Sequence, residues 1–296
     1  MSGAMTKLGR KPWFQVLGFV VKHFSGKGLE RFPLVSRTYH FLTRHLIGED
    51  IILVDVHGQK MYVNATFGLT LLSTGTYESE KLMTTLFTKL ITEGMIVVDI
   101  GAHVGYYTLL AARAVGDKGK VFCFEPEPSN YALLLKNIER NSYNNVVLVQ
   151  KAVTNSTGHV KLFLARDPSG HSIGSDNPHQ RAILVDSTTL DDFFVCREYP
   201  IHIIKIDVEG AEMAVLQGMR NIIAKNQQLN IFTEFNPGAL MRAGFLPIEY
   251  FQMLVNYGFN ICVINEQKQS LEPAEINTVM AMCKSIEYVN LLCRKV

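Results

Sequence analysis

The chain has 296 residues, of which 47% are hydrophobic and 10% aromatic, and its 29 Lys and Arg nearly balance its 27 Asp and Glu. A chain of this length and composition buries enough apolar surface to hold a core, which excludes the collagen-like, low-complexity and disordered classes. The formal net charge of +2 is too small to predict a nucleic-acid partner. No stretch reaches the roughly 18 uninterrupted apolar residues that a membrane span needs.

The N-terminal segment differs from the rest in charge. Residues 1–45 carry eight Lys and Arg against one acid, Glu30, so this segment is +7 and the remainder is −5. Within it, residues 13–24 place apolar side chains at helical spacing. This pattern predicts a helix that packs on its own core or, alternatively, contacts an anionic membrane surface or a partner.

Residues 1–80 are predicted to form a small α+β cap, and residues 81–296 the main domain. Apolar runs at 51–56 and 60–63 flank a His-Gly-Gln turn, which predicts a hairpin within the cap. The asymmetry of charge along the chain supports treating this region as a separate unit.

The cysteines and the start of the chain favour a cytoplasmic protein. The five cysteines are scattered, odd in number and without a CxxC pair, which suits neither a disulfide framework nor a structural zinc site. The basic, apolar start is not followed by a small-residue cleavage site, so we expect no export.

From residue 81 the pattern alternates between strands and helices. The predicted strands lie at 96–100, 121–124, 146–149, 201–206, 229–233, 260–264 and 288–292. The predicted helices lie at 105–115, 129–141, 189–195, 211–219 and 247–257, and segments 159–164 and 182–185 are predicted to form a hairpin. Ser129 is the expected N-cap of the second helix. This alternation predicts an open, mostly parallel sheet covered on both faces, with ligands beyond the carboxyl ends of its strands.

The strongest motif is a buried strand that runs into a glycine turn and a helix at 97–105. Gly101 permits the tight turn, and Gly105 lets the start of the helix approach a ligand and the sheet. The next strand ends in Glu125, about 20 residues downstream, where a carboxylate accepts hydrogen bonds from ribose hydroxyls. The spacing therefore predicts a nucleoside cofactor.

The residues around the turn distinguish between two cofactors. Tyr106 stands where a dinucleotide site has its third glycine, and Asp99 would repel a pyrophosphate. An acid at this position instead suits the ammonium and sulfonium groups of S-adenosylmethionine. Asp99 as a capping acid and Glu125 as a solvated residue remain alternatives. For the function of the protein, the remaining alternatives are an NAD(P)-dependent oxidoreductase and a non-catalytic nucleoside-binding module.

Four segments, at 99–108, 124–126, 189–192 and 204–212, resemble the FkbM-type S-adenosylmethionine-dependent methyltransferases. The resemblance covers roughly residues 75–237. It implies a Rossmann-like class I methyltransferase fold with a mostly parallel, seven-stranded sheet, and methylation of a hydroxyl group on a sugar, polyketide or other secondary metabolite. His103 is a departure, because the family commonly has Asn there.

The resemblance also assigns a cofactor site. Asp99 would face the methionine end, Glu125 the ribose and Lys151 the adenine edge, while Glu78 would contact the aminoacyl group or, alternatively, cap a helix. The residues assigned to this site are Tyr77, Glu78, Asp99, Gly101, Ala102, His103, Gly105, Glu125, Pro126, Lys151, Ala152 and Asp207.

Methylation of a hydroxyl requires a general base within hydrogen-bonding reach. Asp207 and Glu209, at the end of the fourth strand, are the first candidates, and Glu234, at the end of the fifth, is the next. His171 is a fourth candidate because it lies in a glycine-containing loop and titrates near neutrality. A structural turn acid is the alternative interpretation of Asp207, and Glu212 is expected to stabilise a helix N-terminus.

The sequence also bears on the acceptor and on a metal. Asp207, Glu209 and Glu234 have the oxygen ligands that Mg²⁺ uses, but no metal is assigned. The basic residues of the cap favour an acidic or phosphate-bearing acceptor. Those residues are Arg31, Arg37, His40 and Arg44.

Overall fold

The computed structural model describes residues 51–64, 67, 80–165, 170–174, 179–197 and 199–295. The helix predicted at 13–24, the basic residues of the cap, and Tyr77 and Glu78 lie outside these ranges. The strands are β1 (Ile51–Val56), β2 (Gln59–Asn64), β3 (Ile96–Ile100), β4 (Lys120–Phe124), β5 (Val146–Val149), β6 (Ala152–Val153), β7 (Gly158–Phe163), β8 (Ala182–Thr188), β9 (Ile201–Ile206), β10 (Asn230–Phe235), β11 (Phe259–Asn265), β12 (Ser270–Pro273) and β13 (Val289–Lys295). The helices are α1 (Lys81–Leu90), α2 (Tyr106–Val115), α3 (Pro128–Arg140), α4 (Leu190–Phe193), α5 (Glu212–Gln217), α6 (Arg220–Lys225), α7 (Pro237–Arg242), α8 (Pro247–Asn256) and α9 (Ile276–Ile286).

The central sheet has the order β12-β11-β13-β10-β9-β3-β4-β5. Strands β10, β9, β3, β4 and β5 run parallel, and β13 is antiparallel to both of its neighbours. This confirms the predicted sheet, but with eight strands rather than seven. The eighth arises because β12 turns back and pairs antiparallel with β11. The chain passes from β3 to β4 on one side and returns to β9 on the other, so the switch in strand order lies between β3 and β9.

Apolar clusters cover both faces of this sheet. Val97 and Val121 belong to one cluster, with α2 and the β1–β2 hairpin, while Val98 and Phe122 belong to the other, with α5 and α8. Adjacent residues of a strand point to opposite faces, so a strand buried on both faces is apolar along its whole length.

The predicted hairpin of β7 and β8 is present, but it lies in a separate sheet. Strand β8 pairs antiparallel with β7 and parallel with the short β6, giving the order β6-β8-β7. Since β6 follows directly after β5, this small sheet starts beside the end of the central sheet.

Several helices differ from their predicted bounds. Helix α3 is capped by Glu127, whose carboxylate accepts from the Asn130 amide, and not by Ser129. Pro128 at the first helical position accounts for this, because proline favours that position. Helix α4 is a single turn, shorter than the predicted 189–195. No helix formed by the described residues is long and apolar enough to cross a bilayer.

The β1–β2 hairpin packs against the main domain through α3. The side chain of Asn137 accepts from the Tyr62 amide at 2.6 Å and donates to the Tyr62 carbonyl at 2.9 Å. The same side-chain amide donates to the Val104 carbonyl at 2.7 Å, so the hairpin is tied to the segment before α2. Hairpin residues such as Val54 and Met61 share a core with α2. A domain boundary at residue 80 stays a prediction.

Candidate active site

The turn after β3 lies at the switch point of the sheet. Gly101 has a φ of +78°, and the amides of Gly101 and Ala102 both donate to the Phe124 carbonyl at 3.0 Å. A Cβ on Gly101 would lie 1.8 Å from the carbonyl oxygen of Asp207. The turn is therefore held between the carboxyl ends of β4 and β9, where only a residue without a side chain fits.

Glu125 is bound to this turn. Its carboxylate accepts from the His103 amide at 2.8 Å and from the Glu127 amide at 2.9 Å, and the side chain is buried. Burial raises the pKa of Glu125 from its ordinary value of 4.5 to about 7, although the two amides oppose this shift. His103 has a φ of +51°, in a region that His and Asn enter more readily than most residues. The backbone thus accounts for His at a position where Asn is expected.

Two cavities meet at the turn, and each is named here for one acid. The Glu125 cavity is lined by Gly101, His103, Glu125, Pro126, Lys151, Ala152, His171, Asp207 and Glu209, with apolar residues around them. The Glu80 cavity, of about 280 Å³, is lined by Phe67, Glu80, Asp99, Gly101, Ala102, His103, Tyr106, Tyr107, Lys205, Asp207, Glu209, Glu234 and Tyr288. Gly101, His103, Asp207 and Glu209 belong to both linings, so the cavities adjoin there.

Asp99 is one of the most buried acids of the Glu80 cavity, at 1% exposed. Its Oδ2 accepts from the Thr108 hydroxyl at 2.6 Å, while its Oδ1 has no hydrogen-bond partner among the described residues. Burial raises the pKa of Asp99, and the nearby Lys205 opposes that rise. A buried oxygen without a donor is costly, so this atom points to a ligand that supplies one.

Lys205 lies beside Asp99 in the sheet, because the two residues pair in register across β3 and β9. Its Nζ donates to Asp207 Oδ2 at 2.9 Å and lies 4.6 Å from the centre of the Tyr107 ring. Burial alone would lower the pKa of Lys205, but Asp207, Asp99 and Glu80 raise it well above its usual range. The ammonium group is therefore charged and already engaged.

Glu80 connects the start of α1 to two distant elements. It accepts from the Tyr107 hydroxyl of α2 at 2.7 Å and from the Asn290 side chain of β13 at 3.0 Å. Burial raises the pKa of Glu80, with Lys205 opposing. These bonds hold its carboxyl group at the wall of the cavity.

The turn after β9 presents Glu209 to both cavities. Glu209 has a φ of +52°, and Gly210 follows with a φ of +105°. The carboxylate of Glu212 accepts from the amides of Val208 and Gly210, each at 3.2 Å, and so holds both sides of the strained residue. The pKa of Glu209 is raised to about 8, mainly by burial and to a smaller extent by the negative charges of Asp207 and Glu212. Strained non-glycine backbone of this kind is typical of functional sites.

Glu234 closes the far side of the Glu80 cavity. It is 9% exposed, and no described residue donates a hydrogen bond to its carboxyl group. Asn290, its partner in register on β13, donates its amide to Glu80 instead. Burial and the neighbouring acids, Asp207 first, raise the pKa of Glu234 well above its ordinary value.

Most of the predicted site residues that the structure describes come together around the two cavities. His171 lines the Glu125 cavity, and its Nδ1 accepts from the Ala165 amide at 3.0 Å. Gly105 is the exception, because it appears in neither lining and caps α2 instead. A Cβ on Gly105 would lie 2.4 Å from Cδ1 of Leu134, which belongs to α3. This glycine therefore allows α2 to pack closely against α3, whereas the sequence predicted a close approach of α2 to the sheet.

The residues of the Glu80 cavity that the sequence did not predict include Glu80, Tyr107 and Lys205. Lys205 carries a usable signal, since a lysine within an apolar strand is buried only when it is paired with an acid. Glu80 carries none, because its partners lie 27 and 210 residues away.

Asp207, Glu209 and Glu234 are the oxygen ligands that the sequence offers to a metal. Among the described residues, no three His, Cys, Asp or Glu side chains are arranged to hold a metal ion.

The chain is similar to several known proteins. The hexuronic acid methyltransferase AglP of Haloferax volcanii is 26% identical over 136 residues, which are 44% of this chain and 52% of that protein. Methyltransferase 1 of Beauveria bassiana is 27% identical over 146 residues, 42% of this chain and 57% of that protein. The chain thus spans about half the length of these curated relatives. A crystal structure of Aeropyrum pernix fibrillarin with bound S-adenosyl-L-methionine covers 83% of this chain and 82% of its own, at 11% identity and a TM-score of 0.42.

The family described as "Methyltransferase FkbM domain" matches residues 99–261, which is more than half of the chain. The match begins at Asp99 and includes Glu125 and the whole of β9, so it contains the four residues that line both cavities, whereas Phe67, Glu80 and Tyr288 of the Glu80 cavity lie outside it. S-adenosylmethionine is the methyl donor of this family. The chain belongs to the FkbM methyltransferase domain family.

Proposed function

We propose that this protein is an S-adenosylmethionine-dependent O-methyltransferase that acts on a hydroxyl group of a sugar, polyketide or other secondary metabolite. The observation that carries the proposal is the meeting of two cavities at Glu209. One cavity has the residues of a nucleoside site, and the other is lined by carboxyl groups suited to a cationic donor and a hydroxyl acceptor.

The residues present fit the methyl donor. Glu125 would accept the ribose hydroxyls, and Lys151 and Ala152 would border the adenine. Asp99, with its buried and unpartnered Oδ1, would receive the ammonium group of the methionine end. Bound S-adenosylmethionine supplies an electrophilic methyl group on a sulfonium centre.

Glu209 is the proposed general base. It lies where the two cavities adjoin, so its carboxylate is available to a hydroxyl near the methyl group. Its pKa of about 8 is closer to neutrality than that of an ordinary glutamate, which favours proton abstraction by a carboxylate. Asp207 is engaged with Lys205 and is assigned to holding that cation. Glu234 is assigned to binding the acceptor.

Calorimetric titration with S-adenosylmethionine and with NAD, followed by transfer of a labelled methyl group to a panel of hydroxylated acceptors, tests this function. We expect binding of S-adenosylmethionine, no binding of NAD, and transfer to oxygen established by the mass and chemical shift of the product. Binding without transfer across the panel contradicts the enzymatic proposal and supports a nucleoside-binding module.

A further inference from the structure

A short segment, residues 170–174, connects the small sheet to the wall of the Glu125 cavity. Ser172 forms an antiparallel bridge with Phe163, the last residue of β7. The Phe163 amide donates to the Ser172 carbonyl at 2.8 Å, and the Ser172 amide donates to the Phe163 carbonyl at 3.2 Å. His171 and Ile173, on either side of Ser172, line the Glu125 cavity. The segment is therefore fixed to the small sheet and forms part of the site.

The hydroxyl group of Ser172 has two partners. It accepts from the Gly174 amide at 3.1 Å and donates to the Glu209 carbonyl at 2.7 Å. Gly174 is itself packed against the end of α7, because a Cβ on it would lie 2.5 Å from the Cα of Ala243. A hydroxyl has one proton to donate, and the bond from Gly174 leaves that proton for Glu209.

The backbone of Glu209 requires support from its surroundings. Its φ of +52° is in the left-handed region, which a glutamate occupies only where neighbouring groups hold it. Glu212 binds the amides on either side, but it belongs to the same turn. The hydrogen bond from Ser172 comes from a segment 37 residues earlier in the chain and reaches the carbonyl of Glu209 itself.

The backbone of Glu209 also determines where its side chain lies. With the hydrogen bond to Ser172 removed, Glu209 gains freedom to return to a more favourable φ, and its Cβ then points in another direction. The carboxyl group would leave the place where the Glu125 cavity and the Glu80 cavity adjoin. Displacement of a reacting group by about 1 Å is enough to lower the rate of a reaction strongly.

We propose that Ser172 is a positioning residue that holds the carboxyl group of Glu209 where the two cavities meet. The small sheet accordingly supports the site, because its strand β7 carries the segment with Ser172. This inference rests on the proposed function, in which Glu209 is the general base. Ser172 acts through Glu209 and not on a ligand.

The titration of Glu209 reports the position of its carboxyl group. Burial contributes most to its raised pKa of about 8, and Arg242 opposes the rise. The charged and titratable groups that surround Glu209 come from several elements and include Asp207, Glu212, Glu234, Arg242, Glu287 and His171. All of them remain in Ser172→Ala, so a changed pKa of Glu209 in this variant indicates a changed position.

The first experiment follows the carboxyl carbon resonance of Glu209 against pH by NMR, with the resonance assigned from its absence in Glu209→Gln. We expect the midpoint in Ser172→Ala to fall by at least about 0.5 pH units, because the released carboxyl group gains solvent. An unchanged midpoint overturns the proposal.

Ser187→Ala is the matched control. Ser187 belongs to β8 of the same small sheet, and its hydroxyl also donates to a backbone carbonyl, that of Ser156, at 3.0 Å. It lines neither cavity. The midpoint of Glu209 in Ser187→Ala should equal that of the unmodified protein, and an equal fall in both variants overturns the specific role of Ser172.

The second experiment measures methyl transfer to the fastest acceptor of a panel of methyl glycosides and hydroxylated polyketides. We expect Ser172→Ala to lower kcat by at least about tenfold, the effect of one lost hydrogen bond. The Kd of S-adenosylmethionine should change by less than about threefold, because Asp99 and Glu125 are unaffected. Circular dichroism and thermal unfolding establish that the variant is folded.

Double variants show whether Ser172 acts through Glu209. In the Glu209→Gln background, Ser172→Ala should lower kcat by less than about twofold, since the group that it positions is already absent. In the Glu249→Gln background, which lacks an exposed glutamate of α8, Ser172→Ala should keep its full effect. An equal loss of kcat in both backgrounds overturns the proposal, as does an unchanged kcat in Ser172→Ala.

Failure of the proposed function gives a different result. Protein that transfers no methyl group to the panel contradicts the enzymatic proposal, and full kcat in Glu209→Gln contradicts the choice of base. In either case the titration of Glu209 in Ser172→Ala and Ser187→Ala decides whether Ser172 positions that carboxyl group.

Discussion

The Cα of Gly101 faces the backbone of Asp207 so closely that a Cβ would lie 1.8 Å from the Asp207 carbonyl oxygen. This contact joins the turn after β3 to the end of β9, and it brings the two cavities together. Because backbone atoms on both sides are held by hydrogen bonds to neighbouring strands, neither side moves away at low cost.

Gly101→Ala is therefore expected to destabilise the fold and to abolish cofactor binding. The overpacking costs about 1–3 kcal/mol or more, in addition to about 1–2 kcal/mol for alanine at positive φ. Gly94→Ala is the matched control, since Gly94 also has positive φ but nothing within 4 Å of its added Cβ. Urea denaturation should show a larger loss for Gly101→Ala, and equal losses would contradict the contact.

Glu209→Gln is expected to lower kcat by about 10²–10⁴, because the variant cannot accept the proton of the acceptor hydroxyl. In the unmodified protein, the carboxyl group is mostly protonated below its pKa of about 8, so kcat/KM should rise with pH up to that region. The measurement is a pH profile of methyl transfer for both proteins.

The rising limb should be missing from the Glu209→Gln profile and present in that of Glu249→Gln. A rising limb of the same midpoint in Glu209→Gln would assign the base to another residue.

Glu212→Ala is expected to lower the free energy of unfolding by about 1–3 kcal/mol, since it leaves the amides of Val208 and Gly210 without an acceptor. Glu212→Gln keeps an acceptor oxygen and should recover most of that loss. Urea denaturation of both variants makes the comparison. Equal destabilisation by Ala and Gln would show that Glu212 does not hold the turn through these bonds.

The buried acids also predict how stability changes with pH. Burial raises the pKa of Glu212 to about 7, so the folded state binds its proton more tightly than the unfolded state does. The contribution of Glu212 to the free energy of unfolding is fully present below its pKa in the unfolded state, near 4.5. This contribution is lost as the pH rises towards its pKa in the folded state, about 7. Glu125 acts in the same direction over the same range.

Free energies of unfolding measured across this range test the effect. The difference in stability between Glu212→Gln and the unmodified protein should move in favour of the variant as pH rises. A difference that stays constant with pH would mean that the carboxyl group titrates at the same pH in both states.

The sequence predicted the parts of the site that are local along the chain. The strand, glycine turn and helix at 97–105, with Glu125 after the next strand, are short-range patterns whose geometry is fixed by the parallel sheet. The same reasoning did not find Glu80, because its position depends on Asn290 at the other end of the chain. The cap of α3 was misplaced because Glu127 and Ser129 are both adequate caps, and Pro128 decides between them.

The most direct test of the account is calorimetric titration of S-adenosylmethionine into the unmodified protein, Asp99→Asn and Glu125→Gln, with Glu249→Gln as control. Each site variant loses a charged hydrogen bond to the ligand, about 1.5–3 kcal/mol, so affinity should fall by about 10–100-fold. The control should bind like the unmodified protein. Unchanged affinity in both Asp99→Asn and Glu125→Gln would contradict the placement of the cofactor between these two acids.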